Sequence, residues 1–91
     1  MNTRSVADIL GPWEDPKWDS GLVARIRNSW NVPICKLSNE MLATYLRQQI
    51  ATEFVLEEAT SRLQTGFDDG SEIFDGELLN AVNDTRERGS N

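Results

Sequence analysis

The sequence predicts an all-α fold: a small single-domain bundle of about four to five helices around a central helix or helix pair. Residues 38–66 contain no proline, and no glycine before Gly66. Within them apolar residues fall at Met41, Leu42, Tyr45, Leu46, Ile50, Phe54, Val55, Leu56, Ala59 and Leu63, in the steps of three and four that mark a helix face. Alternation of strand type is scarce elsewhere, and glycine or proline separates the remaining apolar runs.

In chain order, Ser5-Val6-Ala7-Asp8 has the spacing of a capping box, with Val6, Ile9 and Leu10 as the short apolar face behind it. Gly11-Pro12 ends that helix, because proline disfavours helical backbone in the residue before it. Trp13 to Asp19 reads as a proline-containing loop. Trp18 is its surface anchor, set among Asp15, Lys17 and Asp19. Ser20 is placed to cap a second helix carrying Leu22, Val23, Ile26 and Trp30, which Asn31-Val32-Pro33 breaks.

Leu37 then stands as a hydrophobic staple before the cap at Ser38. Glu40 suits the positive end of the helix dipole, and Gly66 is placed to end the helix in a left-handed conformation. Near Thr52 the apolar stripe weakens, which predicts a bend or two stacked helices. Gln48 and Gln49 lie mid-stretch, and one is expected as a satisfied core amide. Thr65 to Ser71 is a turn rich in glycine and aspartate. Ile73 and Phe74 are expected to re-enter the core. Asp75 is expected to cap a last short helix with Leu78, Leu79 and Val82 inward. The domain is expected over residues 1–82, with 83–91 a disordered polar tail, since that tail has no apolar residue.

Composition narrows the chemistry. The 91 residues lack histidine, the commonest general base and metal ligand. The single cysteine, Cys35, sits beside Ile34 and near Leu37, and reads as a small half-buried apolar residue in a reducing compartment. No phosphate-cradling glycine loop is present. Asp68-Asp69-Gly70-Ser71-Glu72 lacks the alternating ligands of a calcium loop. Glu57 and Glu58 are neighbours that diverge by about 100° around a helix, which does not make a catalytic pair. No enzyme, metal or cofactor is expected. No apolar run approaches the ~20 residues that span a bilayer, and the N-terminal segment lacks a signal-type apolar stretch. A cytoplasmic protein is therefore expected.

The net charge of −6 is unevenly placed. Residues 1–52 sum to +1 and residues 78–91 to zero, whereas residues 53–77 carry Glu53, Glu57, Glu58, Asp68, Asp69, Glu72, Asp75 and Glu77 against Arg62 alone. Nucleic acid is an unsuitable partner, because phosphates need clustered cations. A basic protein is the expected one, since a concentrated field of one sign steers its opposite.

The order Trp13, Pro16, Asp19, Ser20, then Leu22-Val23, then Pro33-Ile34, Leu37-Ser38, Gln48, Ile50, Phe54, Ala59 and Leu63, then Gly76-Glu77-Leu78-Leu79 resembles the immunity proteins of bacterial contact-dependent growth inhibition systems. The match runs from about Trp13 to Val82. This chain has Ala51 where the family pattern has glycine, and Glu57 and Asp75 where it has prolines. The first two differences imply a straighter central helix, and the last two add acid. The resemblance implies a helical cytoplasmic protein without catalytic activity. Such a protein binds the toxic C-terminal domain of a delivered effector, here expected to be a basic nuclease, as a monomer in a 1:1 complex. The expected toxin contacts are Glu53, Glu57, Glu58, Asp68, Asp69, Glu72, Asp75 and Glu77, with Trp18 or Phe67 as packed anchors. An acidic adaptor or antirepressor that binds a basic regulatory protein fits the same charge layout.

Overall fold

The computed structural model describes residues 3–14, 21–66, 69–72 and 76–89. Among these the chain is all-α: α1 (Val6–Leu10), α2 (Gly21–Ser29), a 3-10 turn (Ile34–Lys36), α3 (Asn39–Arg47), α4 (Thr52–Thr65) and α5 (Glu77–Gly89). No described helix is long and apolar enough to cross a membrane. The expected cap at Ser20, the re-entry of Ile73 and Phe74, and the expected cap at Asp75 lie outside the described residues.

α1 starts as its sequence dictates. Ser5 Oγ accepts the Asp8 amide at 3.2 Å, and the Asp8 carboxylate accepts the Ser5 amide at 2.9 Å, which completes the capping box. The backbone also ties this segment to the end of α2: the Ala7 amide donates to the Trp30 carbonyl at 3.0 Å, and the Ile34 amide to the Arg4 carbonyl at 2.8 Å. The Trp30 indole N–H donates to the Gly11 carbonyl at 2.8 Å. Trp13 packs edge-on against Trp30, with ring centroids 5.1 Å apart.

α3 is the central element and packs on both α4 and α5. Its buried face supplies Leu42, Ala43, Tyr45 and Leu46, which join Val6, Ile26, Trp30, Ile34, Leu37, Val55, Ala59, Leu78, Ala81 and Val82 in one core. Leu37 and Leu42 share that core, as the staple spacing requires. The Tyr45 hydroxyl reaches Ser29 Oγ at 2.6 Å and the Ile26 carbonyl at 3.2 Å, so α3 is tied to α2 by polar as well as apolar contact. Burial raises the Tyr45 pKa above its ordinary value, against the opposing pull of the Ser29 hydrogen bond.

The central stretch is a helix pair. It is not straightened by Ala51: Gln49 and Ala51 both adopt left-handed backbone, with φ of 58° and 48°. The chain turns here, and α4 begins without a side-chain cap. The glycine of the family pattern therefore matches a geometric need that Ala51 meets at a cost. Gln48 and Gln49 are exposed turn residues, not core amides. Gly66 closes α4 with φ of 72°, its amide donating to the Arg62 and Leu63 carbonyls.

α5 extends beyond Val82, where the sequence reading ends the domain, and runs to Gly89. The polar composition misleads because the stabilising contacts are polar. Thr85 is 8% exposed and donates to the Ala81 carbonyl at 2.7 Å. Arg88 pairs with Asp84 one turn back and also donates to the Leu46 carbonyl. Arg86 donates to Thr60 of α4 at 3.2 Å. Leu79, expected inward, is 47% exposed.

Candidate functional site

The acidic segment does two different jobs, and position on the helices separates them. Helix starts leave orphan amides and a partial positive charge. At the start of α3, Ser38 Oγ accepts the Met41 amide at 3.1 Å, Asp69 the Asn39 amide at 3.0 Å, and Ser71 Oγ the Glu40 amide at 3.0 Å. Glu72 spans two helix starts: one carboxylate oxygen accepts the Asn39 side-chain amide at 3.4 Å and the other the Leu78 amide of α5 at 3.2 Å. Asp69 thus caps the start of α3 and Glu72 the start of α5, while Glu72 also holds the Asn39 side chain.

Burial tends to raise the Asp69 pKa, but it is outweighed. Hydrogen bonds from the Ser71 hydroxyl and from the Asn39 and Ser71 amides, with the Arg62 charge, hold it below the usual value.

Beside these caps lies a buried polar hub. Arg62, 7% exposed, donates to Glu58 at 2.9 Å, to the Asn39 side-chain oxygen at 2.9 Å and to the Cys35 carbonyl at 3.0 Å. Asn39 is fully buried. One guanidinium therefore joins α4, the start of α3 and the link before it. Glu77, placed by the sequence in the surface field, is fully buried and pairs with Arg47 at 2.5 Å. Among the described residues every buried side-chain nitrogen and oxygen has a hydrogen-bond partner.

Glu58 and Glu77 are consequently committed to guanidinium groups inside the fold, and Asp69 and Glu72 to helix starts. The reading of these acids as one open field does not hold for the buried Glu77 or for Glu58 in its ion pair with Arg62, while Asp69 is exposed as well as bonded to the α3 start. Asp68, Asp75, Trp18 and Phe67 lie outside the described residues. Glu53 and Glu57 remain exposed, one turn apart on α4, with no ion pair among the described residues. Together with Leu56, Thr60, Ser61 and Gln64 they line a shallow, open depression along that helix. The spacing of these residues is that of a single helix face.

Arg62, Asn39 and Arg47 are the structural residues that composition alone passed over. One signal was available: a lone arginine within a strongly acidic segment is placed to be shared by several carboxylates. Its buried amide partner, Asn39, gave no such signal.

Among the described residues no group of three or more histidine, cysteine or acidic side chains is arranged to hold a metal ion. Cys35 is half-buried and free. The site offers directed charge and a little apolar surface, which are the materials of a docking face. No curated protein and no solved structure matches the chain significantly. The model of the CDI immunity proteins matches residues 11–88, which spans α2 to nearly the end of α5, and the chain belongs to that family.

Proposed function

We propose that the protein neutralises a cognate CDI toxin, a basic nuclease domain, by docking the outward face of α4 onto its cationic surface. Family membership supports toxin neutralisation. The observation that carries the choice of surface is the placement of Glu53 and Glu57: among the described acids expected to bind, these two stand exposed together on one helix face, around the half-buried Leu56, whereas the exposed Asp69 is engaged at the start of α3. Carboxylates so placed steer a cationic partner and fix its register, while Leu56 supplies a small apolar contact between them. Inhibition in this reading is occlusion in a 1:1 complex in the cytoplasm and involves no turnover.

The test is co-expression with the C-terminal domain of the effector encoded beside it, scored for rescued growth and a co-purified complex. Rescue without complex formation would overturn the docking mechanism. Rescue and a complex that survive Glu53→Lys/Glu57→Lys with unchanged affinity would overturn the choice of face.

A further inference from the structure

The depression along α4 constrains the shape and direction of what fills it. Its lining runs from Glu53 to Gln64. At 1.5 Å per residue that is about 16 Å, or three turns of helix. The lining is graded along this length. Glu53 and Glu57 set two exposed carboxylates at one end, about 6 Å apart along the axis. The half-buried Leu56 adds apolar surface beside them, and the exposed Ser61 and Gln64 end the depression with neutral polar groups. Past its middle, Thr60 accepts a hydrogen bond from Arg86 of α5 at 3.2 Å, which sets a guanidinium at the edge. The face therefore runs from anionic to neutral, with a cation beside its second half.

Two cations about 6 Å apart sit four residues apart on a helix or two apart on a strand. Backbone chemistry decides between these guests. The amides and carbonyls within α4 bond along the helix, so its flank offers an extended guest no ladder. An extended segment pressed onto Leu56 would take peptide groups out of water and find them no partner. A helical guest brings its own hydrogen bonds and lays only side chains into the depression. Direction follows from the gradient of charge. Lysine and arginine suit the C-terminal end of a helix, and acidic or neutral residues its N-terminal end. A guest helix with its cations over Glu53 and Glu57 therefore sets its C-terminal end against the start of α4. Its N-terminal end then lies toward Arg86 and Gln64.

We propose that the α4 depression receives one amphipathic helix of the toxin, antiparallel to α4, whose lysine or arginine side chains four residues apart pair with Glu53 and Glu57. The proposal rests on the toxin-docking reading above and adds to it the kind of element bound and its direction.

The test uses the full chain with the toxin domain encoded beside it. Hydrogen exchange of the complex is expected to protect a helical toxin segment carrying two cations four residues apart. Protection confined to loops or strands would overturn the proposal and leave toxin docking intact. Reversing those two toxin cations to glutamate is expected to weaken binding at least tenfold. Glu53→Lys/Glu57→Lys is then expected to restore at least fivefold, and absence of rescue would overturn the proposal.

A photoreactive benzoylphenylalanine in place of the exposed Gln64 reads the direction. Cross-links are expected on the N-terminal side of the toxin's cation pair, and cross-links on its C-terminal side would overturn the proposal. Sedimentation of the protein alone is expected to show a monomer. A dimer that Glu53→Lys/Glu57→Lys breaks would give the depression to a second copy and overturn the proposal. Failure of the wild type to bind any toxin would sink the docking reading and the proposal with it.

Discussion

The Arg62 guanidinium donates to the Asn39 side-chain oxygen at 2.9 Å across 23 residues of sequence, and both groups are buried. The charge is compensated by Glu58 in the same cluster. Removing one member of a buried, hydrogen-bonded ionic cluster leaves the others unsatisfied, at a cost of about 3–5 kcal/mol. A domain of this size has roughly 5–14 kcal/mol to lose. Arg62→Ala should therefore lower the urea midpoint severely. Asn39→Ala should cost less, and the double variant less than the sum of the two, with a coupling of about 1–3 kcal/mol. Additive effects would mean that the two side chains do not act together.

Glu77 and Arg47 make a related but lopsided pair, since Glu77 is fully buried while Arg47 keeps 40% of its side chain in solvent. Arg47→Ala strands a buried carboxylate, whereas Glu77→Gln removes the charge and leaves an amide of the same shape. Arg47→Ala is expected to destabilise the fold more than Glu77→Gln in thermal melts. Neither should change the association rate with the toxin. A rate change without a stability change would return Glu77 to the interface.

These pairs mark where the sequence stops being legible. The helices were readable because caps and breaks act locally: Ser5 with Asp8, Ser38 with Met41, and Gly66 after Leu63 lie within one turn of their targets. Spacing also placed Leu42, Tyr45, Leu46, Val55, Ala59, Leu78 and Val82 in the core, though it wrongly turned Leu79 inward. The roles of Asp69 and Glu77 were not readable, because each depends on a partner 30 residues away in the chain. Arg47 finds Glu77, and Asp69 finds the Asn39 amide, only after the chain folds back. The end of α5 was missed because Thr85 and Arg88 stabilise it through contacts that hydropathy does not register.

The junction between α3 and α4 gives a prediction of opposite sign. Gln49 and Ala51 occupy left-handed backbone, which costs a residue with a Cβ about 1–2 kcal/mol. Glycine removes that cost but adds about 0.4–1 kcal/mol of freedom to the unfolded chain. Gln49 is exposed, so Gln49→Gly should raise stability by about 0.5–1 kcal/mol. Ala51→Gly should gain less, because the Ala51 methyl is half-buried against the core. Ala51→Val should destabilise, since branching worsens the same conformation. If Gln49→Gly lowers the melting temperature, the left-handed turn is not the state that folds.

Asp69 supplies a dependence on acid. Its folded pKa lies below its ordinary value of 3.8. Its contribution to stability is therefore fully present above that value and is lost as pH falls through the depressed folded value. Asp69→Asn should flatten the decline in stability on acidification below about pH 4, while lowering stability at neutral pH. Urea melts at several pH values measure both effects. Parallel curves for the two proteins would mean that the cap on α3 does not titrate as the geometry requires.

The exposed carboxylates of α4 allow charge used for folding to be separated from charge used for docking. Glu53 and Glu57 are exposed, whereas the Glu58 side chain is 17% exposed and bonded to Arg62. Reversal of exposed charge acts mainly on diffusional encounter, and salt screens it. Glu53→Lys/Glu57→Lys should therefore slow association with the toxin about tenfold at low salt, with the deficit shrinking as salt rises and the melting temperature nearly unchanged. Glu58→Lys should do the reverse, loosening the fold around Arg62 with little direct effect on encounter. Stopped-flow association at two ionic strengths, set beside thermal melts, distinguishes the two classes. If all three reversals alter the encounter rate alike and leave the melts alone, Glu58 is a docking charge and its bond to Arg62 does not hold α4 in place.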